Sequence, residues 1–199
     1  MSSRGLFQGA NFVNSIEESN QEELKPLIES GKKSFKGREL TGGTLGVVGM
    51  GAIGSKVADM GVMLGMNVIG YDPAITVEAA WKLPNKVERK ESIEDVFKES
   101  DYISLHVPAN DKTKGLINSD LLKNAKKGLR LINFARDEIV VSKDIIESLD
   151  KNILSKYITD FADLDLISRA KIANDVIILP HIGASTCLLY TSDAADDTD

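Results

Sequence analysis

Three short stretches of this chain combine residue types and spacings that could do chemistry. Gly49-Met50-Gly51-Ala52-Ile53-Gly54 is a G-x-G-x-x-G run. In such a run Gly49 allows a tight turn, Gly51 lets backbone approach a pyrophosphate, and Gly54 lets a helix pack on a strand. The N–H groups of Ala52 and Ile53 would stand at the positive end of that helix and face phosphate charge. Asn133-Phe134-Ala135-Arg136 ends on a guanidinium, which can hold a carboxylate in a bidentate pair while polarising a keto or hydroxyl oxygen. Pro180-His181-Ile182-Gly183 offers an imidazole, a proton donor or acceptor with an unperturbed pKa near ~6.5. Spacing alone leaves plainer readings open: a glycine turn without a ligand, a surface salt-bridge arginine and a core histidine.

These residues need a scaffold, and the hydrophobic pattern from Thr44 onward supplies one. Leu45–Val48, Asn67–Tyr71, Tyr102–Val107, Leu129–Phe134, Leu154–Thr159 and Val176–Leu179 read as short buried strands. Helical segments fall between them, from the glycine run to about Leu64, at Ser119–Lys127 and at Ser142–Leu149. Ser92 caps a further short helix with Ile93, Val96 and Phe97 on one face. Strands alternating with helices predict an α/β fold, a doubly wound parallel sheet of the dinucleotide-binding kind. The glycine run then lies between a strand and a helix, and Asp72 ends the next strand. A carboxylate there accepts hydrogen bonds from ribose hydroxyls and repels a 2′-phosphate. Pro73 and Ala74 follow it, with no arginine, so NAD is favoured over NADP. Arg136 and His181 each follow a strand, on the edge where open parallel sheets bind ligands.

Length and composition set the outer bounds. The chain has 199 residues, 42% of them hydrophobic, which suits a globular domain. Its formal charge of −6 owes much to Asp193, Asp196, Asp197 and Asp199 in the last seven residues. The remainder is close to neutral, an unsuitable footprint for nucleic acid or an anionic membrane. No apolar run approaches the roughly 20 residues of a membrane span, and no signal-peptide pattern opens the chain. Cys187 is the single cysteine, so an internal disulfide and a cysteine-rich zinc site are excluded. A cytoplasmic, metal-free protein is expected.

Residues 1–40 carry helical signals and no strand. Gln21 to Ser30 reads as a helix with Gly31 as its stop and Pro26 near a first turn or at a kink. Lys32 to Gly43 reads as a linker, with a boundary near Leu40. Residues 41–186 are then the dinucleotide-binding domain. Residues 187–199 match nothing before them and resemble a translated cloning adaptor, the alternative being a natural acidic tail.

The order and spacing of Gly49–Gly54, Ser104–Pro108, Asn133–Arg136, Thr159–Phe161 and Pro180–Thr186 resemble the D-isomer-specific 2-hydroxyacid dehydrogenases. Asn133–Glu138 and Gly183–Thr186 tilt that resemblance toward the phosphoglycerate-oxidising branch, which opens serine synthesis. The resemblance implies that Arg136 binds and polarises the substrate and that His181 is the acid/base. It places Val107 and Pro108 on the adenine side of the cofactor pocket with Thr113 nearby. Ala135 lies against the nicotinamide end, Asp160 accepts a hydrogen bond from the carboxamide, and His106 is structural or cofactor-lining. The family pairs its histidine with a glutamate whose expected position here holds Leu164, so Asp165 is the candidate partner. Residues 1–40 then lead in from a substrate domain outside this chain, and the chain alone is expected to bind NAD weakly and turn over little. A small 2-hydroxy or 2-keto acid is the implied substrate, and a homo-oligomer the implied full-length assembly. The alternatives are a relative acting on glyoxylate, hydroxypyruvate or lactate, and an NAD-sensing corepressor on the same fold.

Overall fold

The computed structural model describes residues 6–17, 21–81 and 83–181. Seven strands form one wholly parallel sheet: β1 (Thr44–Val48), β2 (Asn67–Tyr71), β3 (Val87–Arg89), β4 (Tyr102–Leu105), β5 (Leu129–Asn133), β6 (Leu154–Thr159) and β7 (Val176–Ile178). Their order is β3-β2-β1-β4-β5-β6-β7. The chain winds outward from β1 to β3, crosses back to β4 beside β1, then winds the other way. The strand order therefore reverses between β1 and β4, the place where such sheets open a crevice at their carboxyl edge.

Both faces of β1 must be dry, and its sequence shows how. Leu45 and Val47 pack with Ala58 and Val68 in one core cluster, on the side of helix α3 (Ala52–Met63). Gly46 faces the opposite helix, α5 (Ile93–Glu99), so closely that a Cβ there would lie 2.5 Å from Val96 and 2.4 Å from Ser100 Oγ. Val96 and Phe97 on α5 are fully buried in the larger cluster with Ile103, Leu105, Leu129 and Leu131. Ser92 caps α5 as its position predicts, its Oγ accepting from Asp95 N at 3.1 Å.

Four local expectations are corrected. Gly31 does not stop its helix: α2 runs Gln21–Lys32 with Pro26 inside it. A Cβ on Gly31 would fall 2.2 Å from the ring of Phe12 on α1 (Leu6–Asn14), so the glycine permits close helix packing. The expected linker opens with a 3₁₀ turn at Lys33–Phe35, and the Phe35 and Phe12 rings lie 5.5 Å apart. Helix α6 covers only Ser119–Leu122, because the chain then turns to let Lys126 N donate to Phe97 O. The strands expected to run to Val107, Phe134 and Leu179 end earlier, at Leu105, Asn133 and Ile178, which leaves those residues in the carboxyl-edge loops.

Three elements carry too weak a pattern to be read from sequence. These are α4 (Val77–Trp81), the edge strand β3, and α8 (Leu164–Ile172), of which only Leu166 is buried. Helix α8 is instead held electrostatically. Arg169 donates through Nε and Nη2 to Asp175, at 3.1 and 2.6 Å, and through Nη1 to Asp150 at the end of α7 (Ser142–Asp150). The partly buried guanidinium thereby ties two helices to the residue just before β7 (Val176–Ile178). Arg169→Met is expected to lower unfolding free energy by about 2 kcal/mol, since it strands the carboxylate of Asp175. A denaturant midpoint equal to that of the parent would show that water already screens the pair.

Candidate cofactor and active site

The glycine turn joins β1 to α3. Gly49 N donates to Tyr71 O at 2.9 Å, and Gly49 has φ of +91°, with its Cβ position 2.6 Å from His106 O. Only glycine fits that approach. Gly54 is tighter still: a Cβ would sit 1.9 Å from Gly49 O. Gly51 differs, since a Cβ there would meet nothing within 4 Å. It caps α3 without a side-chain bond, and the helical ladder begins with Ser55 N donating to Gly51 O at 3.0 Å. The N–H groups of Ala52, Ile53 and Gly54 thus precede the ladder, as first-turn donors do. Open space, unpaired donors and a positive helix end together make a cradle for phosphate.

Asp72 lies just past β2 and braces this turn. Its Oδ2 accepts from Met50 N and its Oδ1 from Ala74 N, both at 2.8 Å. Each oxygen keeps lone-pair capacity for a further donor, as a ribose hydroxyl would need. Across the switch point the loop after β4 holds Val107, Pro108 and Thr113. Thr113 Oγ1 donates to Pro108 O and accepts from Asn110 N at 2.9 Å, which closes that loop.

His106 opens the same loop and is tied into the sheet. Its backbone N donates to Val48 O at 2.7 Å, and its Nε2 lies 2.8 Å from Ser104 Oγ. Burial pushes the imidazole below its usual range, so the folded protein favours the neutral ring. Above the unfolded value near ~6.5 both states are neutral and stability is unaffected by this group. As pH falls below that value the unfolded chain binds the proton first, and stability is lost. His106→Gln is expected to flatten this acid-side loss as pH falls below ~6.5 in denaturant melts. An unchanged slope would place the dependence on other groups.

Arg136, Asp160 and His181 follow β5, β6 and β7, three neighbouring strands, so their loops share one edge of the sheet. The turn that carries Ala135 and Arg136 is built by Asn133, which is fully buried. Asn133 Oδ1 accepts from Ala135 N at 3.1 Å, and Nδ2 donates to Arg136 O at 2.8 Å. Asn133 has a supporting role that the sequence motif alone does not assign. An asparagine ending a strand before a short turn is the signal that could have revealed it. Arg136 itself is exposed, donates from Nη1 to Ala135 O at 2.7 Å, and makes no ion pair among the described residues. Its charge is available to an incoming carboxylate.

Asp160 is 7% exposed, and its Oδ1 is buried without a hydrogen-bond partner among the described residues. An unpaired buried carboxylate oxygen costs roughly 1–3 kcal/mol or more, a burden that a bound donor would lift. His181 adopts φ of +49°, in the left-handed region uncommon for residues other than glycine. Its ring meets the edge of Phe161, with centroids 5.2 Å apart. Asp165 does not join it: no hydrogen bond or ion pair links the two among the described residues. Asp163 caps α8 by accepting from Leu166 N at 2.8 Å, which buries Leu166 and leaves Leu164 and Asp165 exposed in the first turn. Cys187 and the segment 182–199 lie outside the described residues.

Residues 7–183 match the family described as D-isomer specific 2-hydroxyacid dehydrogenase, NAD binding domain. The chain belongs to that family. It is 36% identical over 160 residues to the D-3-phosphoglycerate dehydrogenase of Bacillus subtilis, covering 79% of this chain and 30% of the relative. It is 38% identical over 160 residues to the hydroxypyruvate reductase of Thermotoga maritima, covering 78% of this chain and 50% of that protein. Among solved structures it resembles apo D-lactate dehydrogenase from Escherichia coli, with a TM-score of 0.73 and 26% identity over 80% of this chain and 50% of that one. The D-lactate dehydrogenase of Aquifex aeolicus, complexed with NAD and lactic acid, gives 0.72 and 27% over 94% and 56%. The chain thus spans between about a third and a half of the length of most of these relatives.

This dehydrogenase-family chain carries the NAD-binding domain, and NAD is its cofactor. The residues present fit that group on structural grounds: the empty space beside Gly51, the unpaired helix donors, and the orphaned oxygen of Asp160. No described helix is long and apolar enough to cross a membrane. The described residues hold no group of three His, Cys, Asp or Glu able to hold a metal ion.

Proposed function

We propose that this chain is the cofactor half of an enzyme that oxidises D-3-phosphoglycerate to 3-phosphohydroxypyruvate with NAD, the entry to serine synthesis. The observation that carries the reading is the convergence of Arg136, Asp160 and His181 on three adjacent strand ends. The phosphoglycerate dehydrogenase relatives support the choice of substrate. Bound NAD supplies the hydride acceptor. Gly49, Gly51, Gly54 and the N–H groups of Ala52 and Ile53 hold its pyrophosphate, and Asp72 takes the adenosine ribose hydroxyls. Val107, Pro108 and Thr113 line the adenine side, Ala135 lies against the nicotinamide end, and Asp160 Oδ1 accepts from the carboxamide. Arg136 holds the substrate carboxylate and polarises the oxygen at the reacting carbon. A ring nitrogen of His181 takes the hydroxyl proton during oxidation and returns it in reverse. Phe161 fixes one side of that ring. Residues 41–186 form the cofactor domain of this enzyme, and a homo-oligomer is its assembly.

A second reading, reduction of hydroxypyruvate, rests on the Thermotoga maritima relative. The test is an enzyme in which residues 7–183 replace the matching segment of the Bacillus subtilis protein. NAD-dependent turnover of D-3-phosphoglycerate, well above that of unphosphorylated D-glycerate, is the expected result. Faster reduction of hydroxypyruvate than of its phosphorylated counterpart would favour the second reading. In the same enzyme Asp165→Ala is expected to leave the pH–rate profile unchanged, because Asp165 makes no bond to His181. A lowered alkaline or acid limb would instead make Asp165 the partner of the imidazole.

A further inference from the structure

A cavity of about 280 Å³ lies under α4, and its lining brings together Met50, Asp72, Asn85, Val87 and Arg89. Arg89 stands seventeen residues beyond Asp72, so nothing in the sequence joins them. The sheet does: Arg89 ends β3 in register with Gly70 on β2, two residues before Asp72. Val87 packs in the core cluster of β1 and β2, and Arg89, two residues on, presents to the same side.

Its guanidinium is lightly held. Among the described residues its partner is Glu91 at 3.3 Å, and both side chains are largely exposed, at 73% and 81%. An exposed pair of this kind contributes little and is readily exchanged. Lys90 offers no equivalent, since its ammonium is held by Glu88 and Glu99 at 2.7 Å each. One side of the cavity is thus a carboxylate braced by two backbone N–H groups, and another is a cation able to swing to a new anion.

We propose that Arg89 is the cationic half of a 2′-phosphate subsite that Asp72 keeps closed, so that cofactor choice rests on a balance between these two side chains. The inference builds on the reading of Gly49–Gly54 and Asp72 as the adenosine end of the NAD site. With the carboxylate present, a 2′-phosphate meets repulsion at the point where ribose hydroxyls are accepted. With that charge removed, the phosphate is left facing a fork of donors suited to it. Asn85 adds an uncharged amide to the same lining.

The test titrates the chain with NADH and NADPH and follows their fluorescence. Asp72→Asn keeps an acceptor for the Met50 or Ala74 N–H while removing the charge. It is expected to raise the NADPH-to-NADH affinity ratio about tenfold or more. Adding Arg89→Ala to that variant is expected to lower the ratio again by about tenfold. Arg89→Glu in the parent chain, which leaves the brace at Met50 and Ala74 intact, is expected to lower the ratio further. A ratio unchanged by Arg89→Ala in the Asp72→Asn background, or by Arg89→Glu alone, would overturn the role of Arg89. A parent chain that binds neither nucleotide would overturn the reading of the site, and this inference with it. Tight NADH binding with no gain for NADPH in Asp72→Asn would remove this inference alone.

Discussion

Gly51→Ala is expected to unfold at the same denaturant concentration as the parent and yet to bind NADH about tenfold or more weakly. The methyl group would meet nothing in the protein within 4 Å, and the backbone at Gly51, with φ of −68°, suits alanine. What the methyl does occupy is the space through which a pyrophosphate reaches the first N–H groups of α3. Gly54→Val is the contrasting variant. Its Cβ would lie 1.9 Å from Gly49 O and 3.3 Å from His106 Cβ. The Gly49 carbonyl is backbone and cannot swing aside, so α3 must lift from β1, and stability and NADH binding fall together. Fluorescence titration beside a denaturant melt separates the two effects. A Gly51→Ala chain that binds NADH as tightly as the parent would mean that the phosphate passes elsewhere.

His181→Gln is expected to reduce turnover of the assembled enzyme by about 10²–10⁴ while leaving NADH affinity close to that of the parent. The amide keeps a polar group against Phe161 but cannot carry a proton across the working pH range. The argument depends on position. His181 lies past β7, on the same edge as the uncompensated guanidinium of Arg136 and the orphaned oxygen of Asp160. Its left-handed backbone, at φ of +49°, is a conformation that few side chains adopt without a local reason. The measurement is kcat in both directions, with NADH binding as the control. Turnover within a few-fold of the parent would move the proton to another group, and loss of NADH binding would give His181 a cofactor-holding role.

Much of this architecture was legible in advance because burial leaves a mark on sequence. Strands covered on both faces must be apolar runs, so Leu45–Val48 and Tyr102–Leu105 identify themselves. The strand, glycine turn and helix that follow are a local event within some twenty residues, and Asp72 lies one strand further on. Caps are equally local, and Ser92 needed only its neighbours to be read. The elements that escaped are those with little to bury. β3 is three residues long, α4 is five, and α8 is anchored by the ion pairs of Arg169 with a single buried leucine. Gly31 was misread because the ring that needs its missing side chain, Phe12, belongs to another helix.

The sequence by itself determined the fold class, the glycine turn between strand and helix, the NAD cofactor and the stretches in which a guanidinium and an imidazole could act. Each follows from a periodicity or from contacts between residues close in the chain. Only the tertiary structure decided which side chains meet. It set Arg89 beside Asp72, buried Asp160 with one oxygen unpaired, built the Arg136 turn on Asn133, and gave His181 the edge of Phe161 rather than Asp165. The physical reason is strand register. In a parallel sheet, pairing brings together residues separated by whole crossovers, and no local pattern records which ones will be neighbours.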